Sequence, residues 1–481
     1  MVNRDEFLAL ANATGLSAPV IEKDYVLGWI LRGIYQSDEL REKWIFKGGT
    51  CLKKCYFETY RFSEDLDFTL QDDSQLDDAF LQRTFRDITQ VIYEESGLEL
   101  QADRTRFELY SNPRGRTSCQ GRLYYRSQFQ TGNNFPAVKL DLTADELLVD
   151  EAVWRPVHHR YSDEPDGGIE ALCYSYDEVF AEKLRALGER TRARDLYDVV
   201  HLHRNREYEP VAARIRDILQ RKCTFKEIAL ITIDVVHAGR ELVIGTWQGM
   251  LAHQLPHLPP FDSFWSELPN IFSWLDTGAP KPALTQAPTQ PSEEILRPHV
   301  GGYADLVGNA GLMERIRFAA QSGLLVALDY IRLDGQVRRP TIEPYSLRRS
   351  QSGEISLAGF DVDAGHIKMY RVDRIQSARV LDRTFSPRYA IELGPLARVL
   401  PIATRPATTM TSRVATGSSR RSSFARPSRT RAAGVPTYVV ECMYCRKKFR
   451  RRSYDTALNA HKMPSGWDCP GRAGAVVDTK W

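Results

Sequence analysis

The sequence predicts a mixed α/β core with a helical lobe, followed by a small, largely antiparallel β module and a short stapled tail. Three observations carry this expectation. Apolar residues first follow a helical period over 18–35 and then alternate with polar ones in short strands, most clearly at Asp65-Leu66-Asp67-Phe68-Thr69-Leu70 and Val138-Lys139-Leu140-Asp141-Leu142-Thr143. A helical pattern returns over about 176–275. Beyond Leu324, runs at 324–330, 338–347, 355–361 and 366–375 are separated by turns such as Asp334-Gly335 and Ser352-Gly353.

Within the core, a short helix over 52–57 follows Gly48-Gly49, a longer one is expected over 77–95, and several strands lie between Leu98 and Leu142. A helix over 304–321 opens the second part. Composition breaks place the boundaries: a core over 1–277, a Pro-rich linker over 278–292, the β module over 293–402, an Arg/Ser/Pro-rich linker over 403–436, and a tail over 437–481.

With 481 residues, 42% of them apolar, the chain has material for about two to four ordinary cores. The N-terminus lacks a basic-then-apolar leader, and no run approaches the roughly 18 apolar residues of a spanning helix, so the expectation is a soluble, cytoplasmic protein. Cys51, Cys55, Cys119, Cys173 and Cys223 follow no regular framework and read as reduced thiols. The net charge of +3 hides an asymmetry, because Arg405 to Arg452 is densely basic and carries the single acid Glu441. Such a tail suits phosphate backbones, and it equally fits a solvated linker.

The chemistry concentrates at Phe46-Lys47-Gly48-Gly49-Thr50 and Asp65-Leu66-Asp67. Glycines at a helix start let the backbone approach a polyphosphate, whose charge the N-terminal dipole favours. Strand alternation sends Asp65 and Asp67 from one face, roughly 6–7 Å apart along the backbone, which suits one or two hard cations. Asp141 on a neighbouring strand is the candidate third carboxylate. The same pattern also fits a tight turn beside a solvated strand edge. Phe180, Leu184 and Leu187 make an apolar stripe, and Lys183 lies off it as a candidate phosphate ligand. Asp195 and Asp198 share one helix face and are placed to orient Lys183 or Arg194.

Lys23-Asp24-Tyr25, Phe46-Lys47-Gly48-Gly49-Thr50, Arg61-Phe62-Ser63-Glu64-Asp65-Leu66-Asp67-Phe68, Val138-Lys139-Leu140-Asp141, Glu182-Lys183-Leu184-Arg185 and Arg194-Asp195-Leu196-Tyr197-Asp198 together resemble the AbiEii/AbiGii toxin family over about 15–250. That family belongs to the polymerase-β-like nucleotidyltransferases. The resemblance implies a mixed-sheet nucleotidyltransferase core with a helical lobe. It also implies Mg²⁺-dependent transfer from an NTP within a toxin–antitoxin or abortive-infection system of phage defence, with the tRNA acceptor end as the expected target and an antitoxin as partner. By position, Asp65, Asp67, Asp141, Lys183 and Asp195 would be catalytic, with the first three binding metal. Lys47, Gly48, Gly49, Thr50, Arg61, Ser63 and Lys183 would bind the nucleotide.

The segments at 324–330, 338–347, 358–361 and 368–375 resemble a WYL domain, a small Sm-like β module of bacterial regulators. Ile355-Ser356-Leu357 stands where that family's Trp-Tyr-Leu is expected. Arg371 is the candidate for contacting a nucleic-acid or nucleotide ligand, and pairing of the module's arginines with Glu343, Asp361 and Asp373 is the competing reading. In the tail, Cys442, Cys445, His461 and Cys469 offer four zinc ligands, in a segment too short to fold without a staple. Their spacing is not that of the standard fingers, and reduced surface thiols remain the other reading. Arg446, Lys447, Lys448, Arg450, Arg451 and Arg452 beside them are candidate nucleic-acid contacts. Two further functions stay open: a nucleic-acid-binding defence regulator with an inert core, and nucleotide transfer to a protein.

Overall fold

A computed structural model describes residues 2–130, 132, 134–281, 283–288, 293–297, 310–394, 437–442, 448–451, 469 and 474–480. Residues 2–397 form one compact unit and 398–481 another.

The first unit opens with helix α1 (Arg4–Thr14), capped by the Asn3 side chain, which accepts from the Glu6 amide at 2.9 Å. Helix α2 (Ala18–Gln36) starts with Pro19 in its first turn and is buried on nearly every side, as its apolar content requires. Strand β1 (Trp44–Lys47) runs into the one-turn helix α3 (Gly48–Cys51) and a π-helical turn at Leu52–Tyr56. Strand β2 (Asp65–Leu70) precedes helix α4 (Asp78–Ser96), whose Leu81, Phe85, Ile88 and Ile92 make the buried stripe. Strands β3 (Arg106–Ser111), β4 (Thr117–Tyr124), β5 (Ala137–Thr143), β6 (Val153–Pro156) and β7 (Glu170–Cys173) complete the sheet.

Among the described residues the strand order is β3-β4-β5-β2-β1-β7-β6. The sheet is mixed: β2 pairs β5 and β1 pairs β7 in parallel, and the remaining pairs are antiparallel. On β2 and β5 the residues Leu66, Phe68, Val138, Leu140 and Leu142 enter the core. Period-two alternation therefore leaves Asp65, Asp67, Lys139 and Asp141 on the opposite face.

A helical lobe follows: α5 (Tyr176–Arg190), α6 (Ala193–Arg204), α7 (Ala212–Phe225), α8 (Ile233–Ala238), α9 (Arg240–Leu251), α10 (Phe261–Trp265) and α11 (Leu268–Thr277). The β module contains β8 (Glu294–Leu296), α12 (Ala310–Ser322), β9 (Leu324–Ile331), β10 (Val337–Arg338), β11 (Thr341–Arg349), β12 (Ile355–Asp361), β13 (His366–Arg371) and β14 (Ile375–Thr384). All its strand pairings are antiparallel.

Three sequence expectations need adjusting here. The strand expected over 338–347 breaks at Pro340, which has no amide to donate, into β10 and β11. The run expected over 366–375 ends at a 3₁₀ turn, Val372–Arg374, and a further strand, β14, pairs with β9. The stretch read as a linker is pinned in part: Ala287 is buried, its carbonyl accepts from Arg348 Nη2 at 3.2 Å, and the Thr285 carbonyl accepts from the Ala390 amide at 2.9 Å. The β module also docks on the core, where Arg317 of α12 pairs with the buried Glu58 at 2.9 Å.

The second unit is a small antiparallel sheet of β15 (Thr437–Cys442), β16 (Lys448–Arg451) and β17 (Gly474–Lys480), with β15 in the centre. No helix among the described residues is long and apolar enough to cross a membrane.

Candidate active site

The parallel pairing of β2 with β5 sets Asp67 directly beside Asp141, and Asp65 beside Lys139. On the other side of β2, Lys47 of β1 is the cross-strand neighbour of Asp67. Three carboxylates thus share one sheet face, with the glycine turn at its edge. Burial pushes the Asp67 carboxyl up to about 6, and the nearby Asp141 charge adds to this against the opposing pull of Lys47 and Lys183. Asp65 is also raised, first by burial and also by Asp141 and Glu64, while Lys139 and Lys23 pull it back. Carboxylates crowded and desolvated in this way are poor isolated anions and good cation ligands.

Gly48 has φ +82°, a left-handed conformation, and a Cβ there would lie 2.0 Å from Asp67 Oδ2. Glycine is needed on both counts. A Cβ on Gly49 would lie 2.5 Å from Arg61 Nη2 and 3.2 Å from Ser63 Oγ, so the loop is packed from behind. The cradle fits a group that approaches backbone closely beside a carboxylate cluster, as a metal-bound polyphosphate does.

Several predicted ligands occupy supporting places. Thr50 is fully buried, and its hydroxyl donates to the Asp65 carbonyl, so it ties α3 to β2 and is not presented as a phosphate donor. Arg61 is likewise buried and spends its guanidinium on Asp198, with Nε–Oδ1 at 2.6 Å and Nη2–Oδ2 at 2.7 Å. That bidentate pair directs the Arg61 guanidinium to Asp198, so its hydrogen bonds support the loop from behind. Lys183 lies 2.8 Å from Asp198 and 3.6 Å from Asp195. Asp195 accepts two bonds of 2.8 Å from Arg190, not from the Arg194 suggested by the sequence. Lys47 stands 3.7 Å from Glu146. Burial alone would raise Asp198, yet the Arg61 and Lys183 charges hold it well below the usual carboxylate range.

Arg190, which holds Asp195, and Glu146, beside Lys47, are the site residues that the sequence does not point to, whereas Asp198 meets Lys183 as its helix face predicts. In the β module, Arg371 pairs with Asp373 at 2.8 Å and also with Glu354, so it matches the competing ion-pair reading and not that of a free ligand contact. In the tail, Cys442 and Cys469 are buried with their sulfurs 3.7 Å apart. Cys445, His461, Arg446, Lys447 and Arg452 lie outside the described residues, and Lys448, Arg450 and Arg451 fall on β16.

A glycine turn beside a triad of strand carboxylates, on a mixed sheet backed by a helical lobe, defines a nucleotidyltransferase. The family described as "Nucleotidyl transferase AbiEii toxin, Type IV TA system" matches residues 29–267, and the WYL domain family matches 311–380. The chain therefore carries an AbiEii-family nucleotidyltransferase toxin domain followed by a WYL domain.

Among solved structures, the chain is similar to MenT4, a nucleotidyltransferase toxin from Mycobacterium tuberculosis H37Rv, at 17% identity and a TM-score of 0.37, covering 57% of this chain and 88% of that one. It is similar to JHP933 from Helicobacter pylori at 19% identity and a TM-score of 0.29, covering 48% and 90%. It is similar to proteasome accessory factor B/C of Arthrobacter aurescens at 11% identity and a TM-score of 0.16, covering 82% and 74%. No curated protein matches the chain.

Proposed function

We propose that this protein is a Mg²⁺-dependent toxin that transfers a nucleotide from an NTP to RNA, with the acceptor end of tRNA as the target, in a phage-defence setting where an antitoxin restrains it. The observation that carries this reading is the convergence of Asp65, Asp67 and Asp141 beside the Gly48 turn. Hard oxygen donors in a desolvated cluster fit magnesium, and the raised Asp67 marks the charge that a cation would relieve.

In this reading Asp65, Asp67 and Asp141 bind the metal. When bound, the metal neutralises the triphosphate and lowers the pKa of the attacking hydroxyl. Backbone amides at Gly48 and Gly49 receive phosphate oxygens, and Lys47 and Lys183 add positive charge. Asp195 and Asp198 orient Lys183, and Ser63 lies behind the loop. The acceptor hydroxyl attacks the α-phosphate in line and pyrophosphate leaves, with no protein nucleophile required. In the tail, Cys442, Cys445, His461 and Cys469 bind zinc, and the basic residues from Arg446 to Arg452 help retain RNA. The WYL domain is a regulatory module in the cytoplasm.

The test is incubation with NTPs labelled at the α-phosphate and total tRNA. Label enters RNA with magnesium, and Asp65→Ala or Asp67→Ala abolishes it without unfolding the chain. Full transfer by either variant would sink the assignment. Unlabelled RNA together with tight DNA binding would favour a regulator, and label in lysate protein would favour protein nucleotidylation.

A further inference from the structure

The sheet face that bears the carboxylates also bears a row of cations leading away from them. Directly paired residues on neighbouring strands present their side chains to the same face. The registers place Asp65 beside Lys139, Lys139 beside Arg122, and Arg122 beside Arg106. With strands about 4.8 Å apart, the row runs roughly 14 Å from Asp65 to the edge strand β3. Lys139 and Arg106 are exposed and Arg122 is half-buried, while Phe107, Leu123, Val138 and Leu140 face the core.

Folding does not explain this row. Like charges directly opposite one another destabilise a sheet. Nearby cations such as Arg114 and Arg126 sit on carboxylates, Asp145 and Glu99, and Arg155 sits on the Cys55 carbonyl and the Tyr208 hydroxyl. Among the described residues, none of Lys139, Arg122 and Arg106 has a carboxylate within ion-pair distance. Arg106 donates only to the Asp103 and Thr105 carbonyls, and Arg122 reaches the Gln120 side chain at 3.5 Å while its Nε is buried without a partner. A polyanion would relieve Arg122 and Arg106, and Lys139, which also faces the Asp65 charge, joins them to the carboxylate cluster.

Strand order separates this row from the nucleotide cradle. The Gly48 turn follows β1 on one side of β2, whereas the cations lie on β5, β4 and β3 on the other. We propose that Lys139, Arg122 and Arg106 form a phosphate track for the single-stranded end of the acceptor, bringing its terminal hydroxyl to Asp65 from the side opposite the glycine turn. This rests on the reading that the acceptor is RNA.

The test uses the full chain and the double variant Arg106→Gln/Arg122→Gln, with a short fluorescent single-stranded oligoribonucleotide as probe. The variant should bind it about tenfold more weakly and raise the acceptor KM by a similar factor. The slope of log affinity against log salt should fall by about 0.7 for each cation removed. Affinity for NTP should stay within about twofold, and the melting temperature should hold or rise as like charges separate. Unchanged oligonucleotide affinity, slope and acceptor KM, while Asp67→Asn still abolishes transfer, would overturn the track and leave the RNA-transfer reading standing. An equal loss of NTP affinity would also overturn it. Weakened oligonucleotide binding by the variant, with no transfer to RNA by the parent, would sink the transfer reading and overturn the acceptor track with it, leaving only a single-strand binding surface.

Discussion

Arg61 and Asp198 lock the glycine loop to the helical lobe: the two form a buried fork at 2.6 and 2.7 Å, and Lys183 meets the same carboxylate at 2.8 Å. The Tyr60 hydroxyl adds a fourth contact, at 2.5 Å. Asp198→Ala strands the buried Arg61 and leaves Lys183 with Asp195 at 3.6 Å, and removing one partner of a buried pair costs about 3–5 kcal/mol. Urea denaturation should show a loss of that size. A midpoint unchanged from the parent would contradict the structural role given to the pair.

Gly48→Ala places a methyl group against the Asp67 carboxylate and forces an L-residue to φ +82°. The backbone term alone is about 1–2 kcal/mol, which a folded chain of this size tolerates. If Asp67 holds the metal as proposed, displacing its carboxylate by about 1 Å is enough to cost roughly hundredfold in rate. A variant that melts near the parent yet transfers nucleotide about a hundredfold more slowly is the expected result, read from parallel melts and initial rates.

Asp67 gives the site a pH signature. Its carboxyl is raised to about 6 in the folded chain, so the folded state holds its proton more tightly than the unfolded one. Stability from this group is present below about pH 4 and is lost as pH rises through about 6. Asp67→Asn should therefore be more stable than the parent at pH 7, by on the order of 2 kcal/mol, and the gap should close below pH 4. Magnesium should raise the melting temperature of the parent at pH 7 more than that of the variant. Equal melting temperatures for the two at neutral pH would argue against a strained carboxylate.

The tail makes a separate prediction about metal. Cys442 and Cys469 have sulfurs 3.7 Å apart, close to the edge of a tetrahedron with Zn–S bonds of about 2.3 Å. Metal analysis of the purified chain should find about one zinc, lost in Cys442→Ser and in Cys469→Ser. Retention of zinc in both variants would place it elsewhere.

Much of the site was legible because its chemistry is local in sequence. Gly48-Gly49 and Asp65-x-Asp67 reveal a turn and a strand face through spacing alone, and the alternation around Asp141 fixed its face as well. The inward turn of Arg61 and Thr50 is not legible in sequence because burial is not a local property. Nothing in Arg61-Phe62-Ser63 says that the arginine turns inward to a helix 137 residues away. In the β module, the Asp373 partner of Arg371 is legible two residues away, whereas Glu354, just before β12, reaches it only through the β12–β13 pairing.

The sequence by itself determined most of the order of elements and the strand face on which Asp65, Asp67 and Asp141 lie. These follow from hydrophobic period and residue type, which each segment carries alone. Only the tertiary structure decided what stands beside what. Strand register put Asp67 next to Asp141 and aligned Lys139, Arg122 and Arg106 into a row, because a one-residue slip would turn every side chain to the other face.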